Sequence, residues 1–155
     1  MNQYNSPLQS LYNWEDKIPN KIYLQQPING VYYNWTWKEF GDEVRRVASY
    51  IKSLNLPKNT KIAILSKNCA HWIMSDLAIM MSGNISVPLY PNLNSDSLRE
   101  ILDHSESKMI FIGKLDNFED LKVGIPSELI SVAFPKYHSY QKMINWDDII
   151  KENNP

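Results

Sequence analysis

The chain has 155 residues, enough for one domain of ordinary size and too few for two large ones. Leu, Ile, Val and Phe fill about a quarter of the positions, above the one-fifth level below which disorder is the default, so a core can form. Lys and Arg number 16 and Asp and Glu 17, and the formal charge of -1 removes any general electrostatic case for nucleic acid or an anionic membrane. Cys69 is the single cysteine, which excludes an internal disulfide and a cysteine zinc site and suits a reducing compartment. The first residues, Met1 to Pro7, lack a charged start and an apolar stretch, so nothing suggests secretion. No apolar run approaches the roughly 20 residues that span a bilayer. The reading is a cytoplasmic α/β protein.

Residues 1–20 mix Pro, Asn and charge with scattered Leu11, Tyr12, Trp14 and Ile18, and read as an irregular lead-in or a short helix. Two β-prone runs, 22–26 and 31–35, flank Pro27-Ile28-Asn29-Gly30. Asn-Gly supplies the positive φ angles of a tight turn, so an antiparallel hairpin is predicted there. Thr36 and Glu39 have the spacing of a capping box. Trp37, Phe40, Val44, Val47, Ile51 and Leu54 then recur at steps of three and four, with charge on the other faces. That pattern predicts an amphipathic helix ending before Pro57.

Residues 61–66 read as a short buried strand, with Asn68 a candidate cap for the next helix. Residues 70–82 are apolar on most faces and stop at Gly83, which predicts a helix covered on more than one side. Residues 85–89 form a strand-like run in which Pro88 cannot donate to a ladder, so it belongs at an end or an edge. Asn94 or Ser95 caps a helix through Leu98, Ile101 and Leu102, and 108–113 is a third apolar run. Beyond Gly113 a strand over 130–134, a loop over 135–142 and a short helix over 146–152 are predicted. Helices alternating with short apolar runs predict an open, doubly wound, mostly parallel sheet with flanking helices and the hairpin at its side.

The search for chemistry is mostly negative. Neither a Walker-type nor a dinucleotide-type glycine loop occurs, and five glycines are few for any phosphate cradle. His71, His104 and His138 lie far apart without ligand spacing, so they read as structural and no metal is assigned. Cys69 starts a helix, where the dipole can lower a thiol pKa, but a small buried filler is the simpler reading. Asp147 and Asp148 suit a helix start, and Met74, Met80 and Met81 suit a core. No residue receives a catalytic role.

The order of motifs carries a resemblance. Thr36-Trp37-Lys38-Glu39-Phe40, then Lys61 to Asn68, then Trp72 to Gly83, then Val87-Pro88-Leu89-Tyr90-Pro91-Asn92-Leu93 are similar to the adenylate-forming acyl-CoA synthetases. Ile101 to Ser107 and Lys108 to Ile112 continue the match, and the Leu-Tyr-Pro wording with the insertion-like 115–145 most resembles the long-chain fatty acid branch. Asn59 stands where the family has Gly, and Asn92 where it has Thr. The resemblance implies that 21–155 form an N-terminal α/β subdomain of an AMP-binding synthetase whose remainder is the main partner.

The parent would use ATP, Mg²⁺ and CoA to turn a fatty acid into an acyl-adenylate and then an acyl-CoA. Its phosphate loop, ribose-binding carboxylate and lid lysine have no counterpart here. The fragment is therefore expected to be inert and to bind no cofactor of its own. A membrane-peripheral parent stays open. Tyr90, Pro91, Asn92 and Lys114 are the expected outer contact for the CoA nucleotide. Exposed apolar surface is expected on the 70–82 helix and the 130–134 strand, with self-association through it. The alternative is a free-standing α/β binding or signalling module. Its receiver-type form wants acidic residues where Leu65-Ser66-Lys67 stand.

Overall fold

The computed structural model describes residues 5–137 and 142–155. Within the stretch expected to be an irregular lead-in or a short helix, Pro7–Lys17 form helix α1. Its signal is local: the Ser6 hydroxyl accepts from the Gln9 N–H at 3.2 Å and the Gln9 amide oxygen accepts from the Ser6 N–H at 2.8 Å. This is a capping box with Pro at the first helical position. The predicted hairpin follows, with β1 (Ile22–Ile28) antiparallel to β2 (Val31–Thr36). Its turn residues Asn29 and Gly30 have φ of 51° and 80°.

Helix α2 (Trp37–Ser53) begins at the Thr36–Glu39 capping box and buries Phe40, Val44, Val47, Ala48 and Ile51. Then come β3 (Lys61–Leu65), α3 (Ala70–Met81), β4 (Ile85–Leu89), α4 (Ser95–Ser105) and β5 (Met109–Ile112). Asn59, with φ of 61°, makes the turn before β3 that a Gly would otherwise make. After β5 lie a short helix α5 (Phe118–Leu121), β6 (Ile130–Ala133), β7 (Ile144–Asn145) and α6 (Trp146–Glu152).

The five strands β3 to β7 form one sheet in the order β4-β3-β5-β6-β7, with every pairing parallel. β4 is an edge strand, which suits Pro88. On one face, Ile62, Ile64, Phe111 and Val132 pack under α2, α3 and α6. On the other, Ala63, Leu65, Ile110 and Ile112 pack under α4 and α5. The continuous apolar strands are therefore buried on both sides.

Three expectations change. Cys69, not Asn68, stands at the N-cap of α3, and it makes no side-chain cap bond. The Gln26 amide oxygen, reaching from β1, accepts the Ala70 N–H at 3.2 Å instead. The 130–134 strand is not an exposed apolar edge, because β6 sits between β5 and β7 with Val132 and Ala133 buried. The 70–82 helix likewise buries Met74, Leu77, Ala78 and Ile79 against the hairpin side and the sheet. The large exposed apolar side chains include Tyr32, Ile85, Tyr90 and Val123. Residues 138–141 of the expected 135–142 loop lie outside the described residues.

Candidate functional site

Three loops leave the carboxyl ends of neighbouring strands together. Ser66-Lys67-Asn68 follow β3, Tyr90-Pro91-Asn92 follow β4, and Gly113-Lys114 follow β5. The chain from β3 runs to α3 on one face, and the chain from β5 runs to α5 on the other. The crevice between them is a topological switch point, where open parallel sheets bind ligands.

Backbone hydrogen bonds lock the β3 and β5 loops to each other. The Gly113 N–H donates to the Leu65 carbonyl at 3.1 Å, and the Lys67 N–H donates to the Lys114 carbonyl at 2.8 Å. The buried Ser66 hydroxyl donates to the Lys67 carbonyl at 2.7 Å and accepts the Lys114 N–H at 2.9 Å. These bonds hold the two lysine backbones side by side.

An open cavity of about 720 Å³ lies over these ends. All four residues expected from the sequence, Tyr90, Pro91, Asn92 and Lys114, line it. Ser66, Lys67 and Trp72 line it as well, beyond the residues expected from the sequence. Their signal was a polar tripeptide directly after a buried strand, which becomes informative only when β5 is known to lie beside β3. Tyr90 is 82% exposed, so its ring is available to a ligand. Lys67 is paired with Asp116, whereas Lys114 makes no ion pair among the described residues. The site therefore offers an aromatic ring, one uncompensated cation and a rigid backbone floor. That combination suits a base and a phosphate.

The other singled-out side chains are elsewhere. Burial pushes the Cys69 thiol up, so the dipole effect does not make it a nucleophile. His71 is buried among the rings of Trp35, Phe134 and Trp146, and burial lowers its pKa to about 4. Its Nδ1 has no hydrogen-bond partner among the described residues. His104 lies in the last turn of α4, Asp147 and Asp148 in the first turn of α6, and His138 outside the described residues. Among the described residues no group of three His, Cys, Asp or Glu side chains could hold a metal ion.

A family model described as AMP-binding enzyme matches residues 11–150. Long chain acyl-CoA synthetase 2 of Arabidopsis thaliana is 30% identical over 145 residues, covering 88% of this chain and 22% of that protein. Long-chain-fatty-acid–CoA ligase FadD15 of Mycobacterium bovis is 27% identical over 101 residues, covering 65% of this chain and 17% of that protein. The chain thus spans less than a quarter of the length of these relatives. Among solved structures, the anthranilate CoA ligase AuaEII in complex with anthranoyl-AMP superposes with a TM-score of 0.79 at 18% identity. That match covers 99% of this chain and 29% of the ligase. Coronafacic Acid Ligase from Pectobacterium brasiliense gives 0.78 at 22% identity, covering 94% and 29%. These structures share the fold, and the match over residues 11–150 shows that the chain belongs to the AMP-binding enzyme family.

Proposed function

We propose that the chain is the N-terminal portion of an ATP-dependent fatty acid CoA ligase of the long-chain branch, and that its switch-point cavity receives the nucleotide end of CoA. In such a parent the fatty acid carboxylate attacks the α-phosphate of ATP and pyrophosphate leaves. The CoA thiol then attacks the acyl carbonyl and AMP leaves. Supporting this reading are the family membership and the long-chain names of the relatives. The observation that carries the cavity assignment is the convergence of Tyr90, Pro91, Asn92 and Lys114 on one opening. Adenine has a ring to stack on at Tyr90, and a phosphate has an uncompensated ammonium at Lys114. Mg²⁺ and ATP would be held by parts of the parent outside this chain. No helix among the described residues is long and apolar enough to cross a membrane. The free, buried Cys69 thiol supports a cytoplasmic parent.

The test is Lys114→Ala in the full-length enzyme. The Michaelis constant for CoA should rise about fivefold, near 1 kcal/mol for an exposed charge contact, while that for ATP stays unchanged. Equal effects on both substrates, or none on either, would remove the assignment.

A further inference from the structure

Away from the strand ends, a second cavity of about 250 Å³ opens between α1, α2, α3 and β1. Leu11 and Phe40 form apolar wall, and Tyr23 and Trp37 form aromatic wall. The aromatic side is preorganised by its own stacking. Tyr23 and Trp37 stack with centroids 3.7 Å apart at 19°, and Trp14 continues the stack on Trp37 at 6.1 Å and 24°. Phe40 meets Tyr23 edge-on at 5.0 Å. Rings fixed this way lose little freedom when a ligand arrives.

Two polar residues also line this cavity, Ser10 from α1 and Asp76 from α3. Asp76 is half-buried and has no ion pair and no hydrogen bond among the described residues. Cations on the neighbouring helices α1 and α2 have partners of their own. Arg45 binds Glu15 and Asp42, Lys38 binds Asp42, and Lys17 lies over the Trp14 ring. An unpaired carboxylate beside apolar and aromatic surface lacks its counter-ion, and it repels acyl chains with their own carboxylate and nucleotides with their phosphates. An organic cation matches both halves of the wall, its charge the carboxylate and its carbon body the apolar surface.

We infer that this cavity binds a small organic ammonium ion, its charge on the Asp76 carboxylate and its apolar body against Tyr23, Trp37 and Phe40. The volume admits a ligand of roughly ten heavy atoms, below the roughly 300 Å³ at which sites for drug-sized ligands begin. The inference stands apart from the CoA assignment, because no residue is shared between the two cavities.

The experiment titrates the 155-residue chain by calorimetry with 2-phenylethylammonium and, separately, with the neutral isostere 2-phenylethanol at constant ionic strength. The ammonium should bind at least about tenfold tighter than the alcohol, and Asp76→Asn should abolish that preference while Asp76→Glu retains it. Amide shifts at Ser10, Trp37 and Asp76 in the unsubstituted protein locate the ligand even where a variant fails to fold. Equal affinity for ammonium and alcohol, a preference that survives Asp76→Asn, amide shifts that miss this cavity, or no saturation by about 20 mM would each overturn the inference.

Discussion

A methyl group added at Gly113 would stand 2.2 Å from Cδ2 of Phe134 and 2.6 Å from the Ser66 hydroxyl oxygen. Both neighbours are buried, and Ser66 is the residue that ties the β3 and β5 loops together. Gly113→Ala should therefore destabilise the fold by about 2 kcal/mol, as overpacking in a filled core does, read as a lower urea midpoint with unchanged slope. An unchanged midpoint would mean that Phe134 swings aside without cost. Thr36 works at the other end of the scale of crowding, in solvent. Its hydroxyl accepts the Glu39 N–H at 3.2 Å, and Thr36→Ala leaves that N–H without its cap. A loss of about 1 kcal/mol is expected in the same measurement, and Thr36→Ser should restore most of it.

Helix α2 holds more than its own face. Glu43 sits between two indoles, its Oε1 accepting from Trp35 Nε1 at 2.8 Å and its Oε2 from Trp146 Nε1 at 3.1 Å. One turn on, Arg46 donates to the carbonyls of Ile150 at 3.1 Å and Asn153 at 2.5 Å, where α6 leaves carbonyls without helical partners. The seven-residue α6 is too short to persist alone, so these contacts and buried Trp146 and Ile149 keep it on the sheet. Glu43→Gln puts an amide N–H₂ against one of the two indole donors. That donor then has no acceptor, and about 2 kcal/mol of stability should be lost. Indole fluorescence following Trp35 and Trp146 is the readout, and an undiminished unfolding free energy would show that water takes over the orphaned N–H.

For the molecule as a whole, the layer holding α2, α3 and α6 contains the groups that respond to acid. Burial keeps His71 neutral down to about pH 4, against an ordinary 6.5. The unfolded chain therefore takes up a proton between pH 6.5 and 4 that the folded chain refuses. His71 permits full stability above about pH 6.5 and lowers it as pH falls to about 4, by about 3 kcal/mol in total. Glu43 acts in the opposite sense. Burial raises its carboxyl despite the two indole bonds, so folding binds a proton there more readily and acid recovers part of the loss. Urea unfolding across pH 7 to 4 should show the decline, and His71→Phe should flatten it. The same slope in both proteins would assign the acid sensitivity to other groups.

Local sequence determined the elements because their causes are local. The steps of three and four from Trp37 to Leu54 made α2, Asn29-Gly30 made the hairpin turn, and three short apolar runs alternating with helices required a parallel sheet. The succession of those motifs also sufficed for the family. Helix α1 was legible too, in Ser6-Pro7 followed by Gln9, although scattered polar residues obscured it. Four of the cavity's residues could be named beforehand, since they follow strand ends. Other features depended on the tertiary structure. β7 has two residues and no periodicity of its own, and exists because β6 offers a free ladder. Ser66 and Lys67 joined the site only because β5 pairs with β3, more than 40 residues away, while β4 takes the other side. Glu43 looked like one more solvent-facing charge of an amphipathic helix until Trp35 and Trp146 closed over it. Periodicity reports which face of an element is apolar, but it carries no information about which distant element will cover that face, and the partners of buried polar groups are set by that choice.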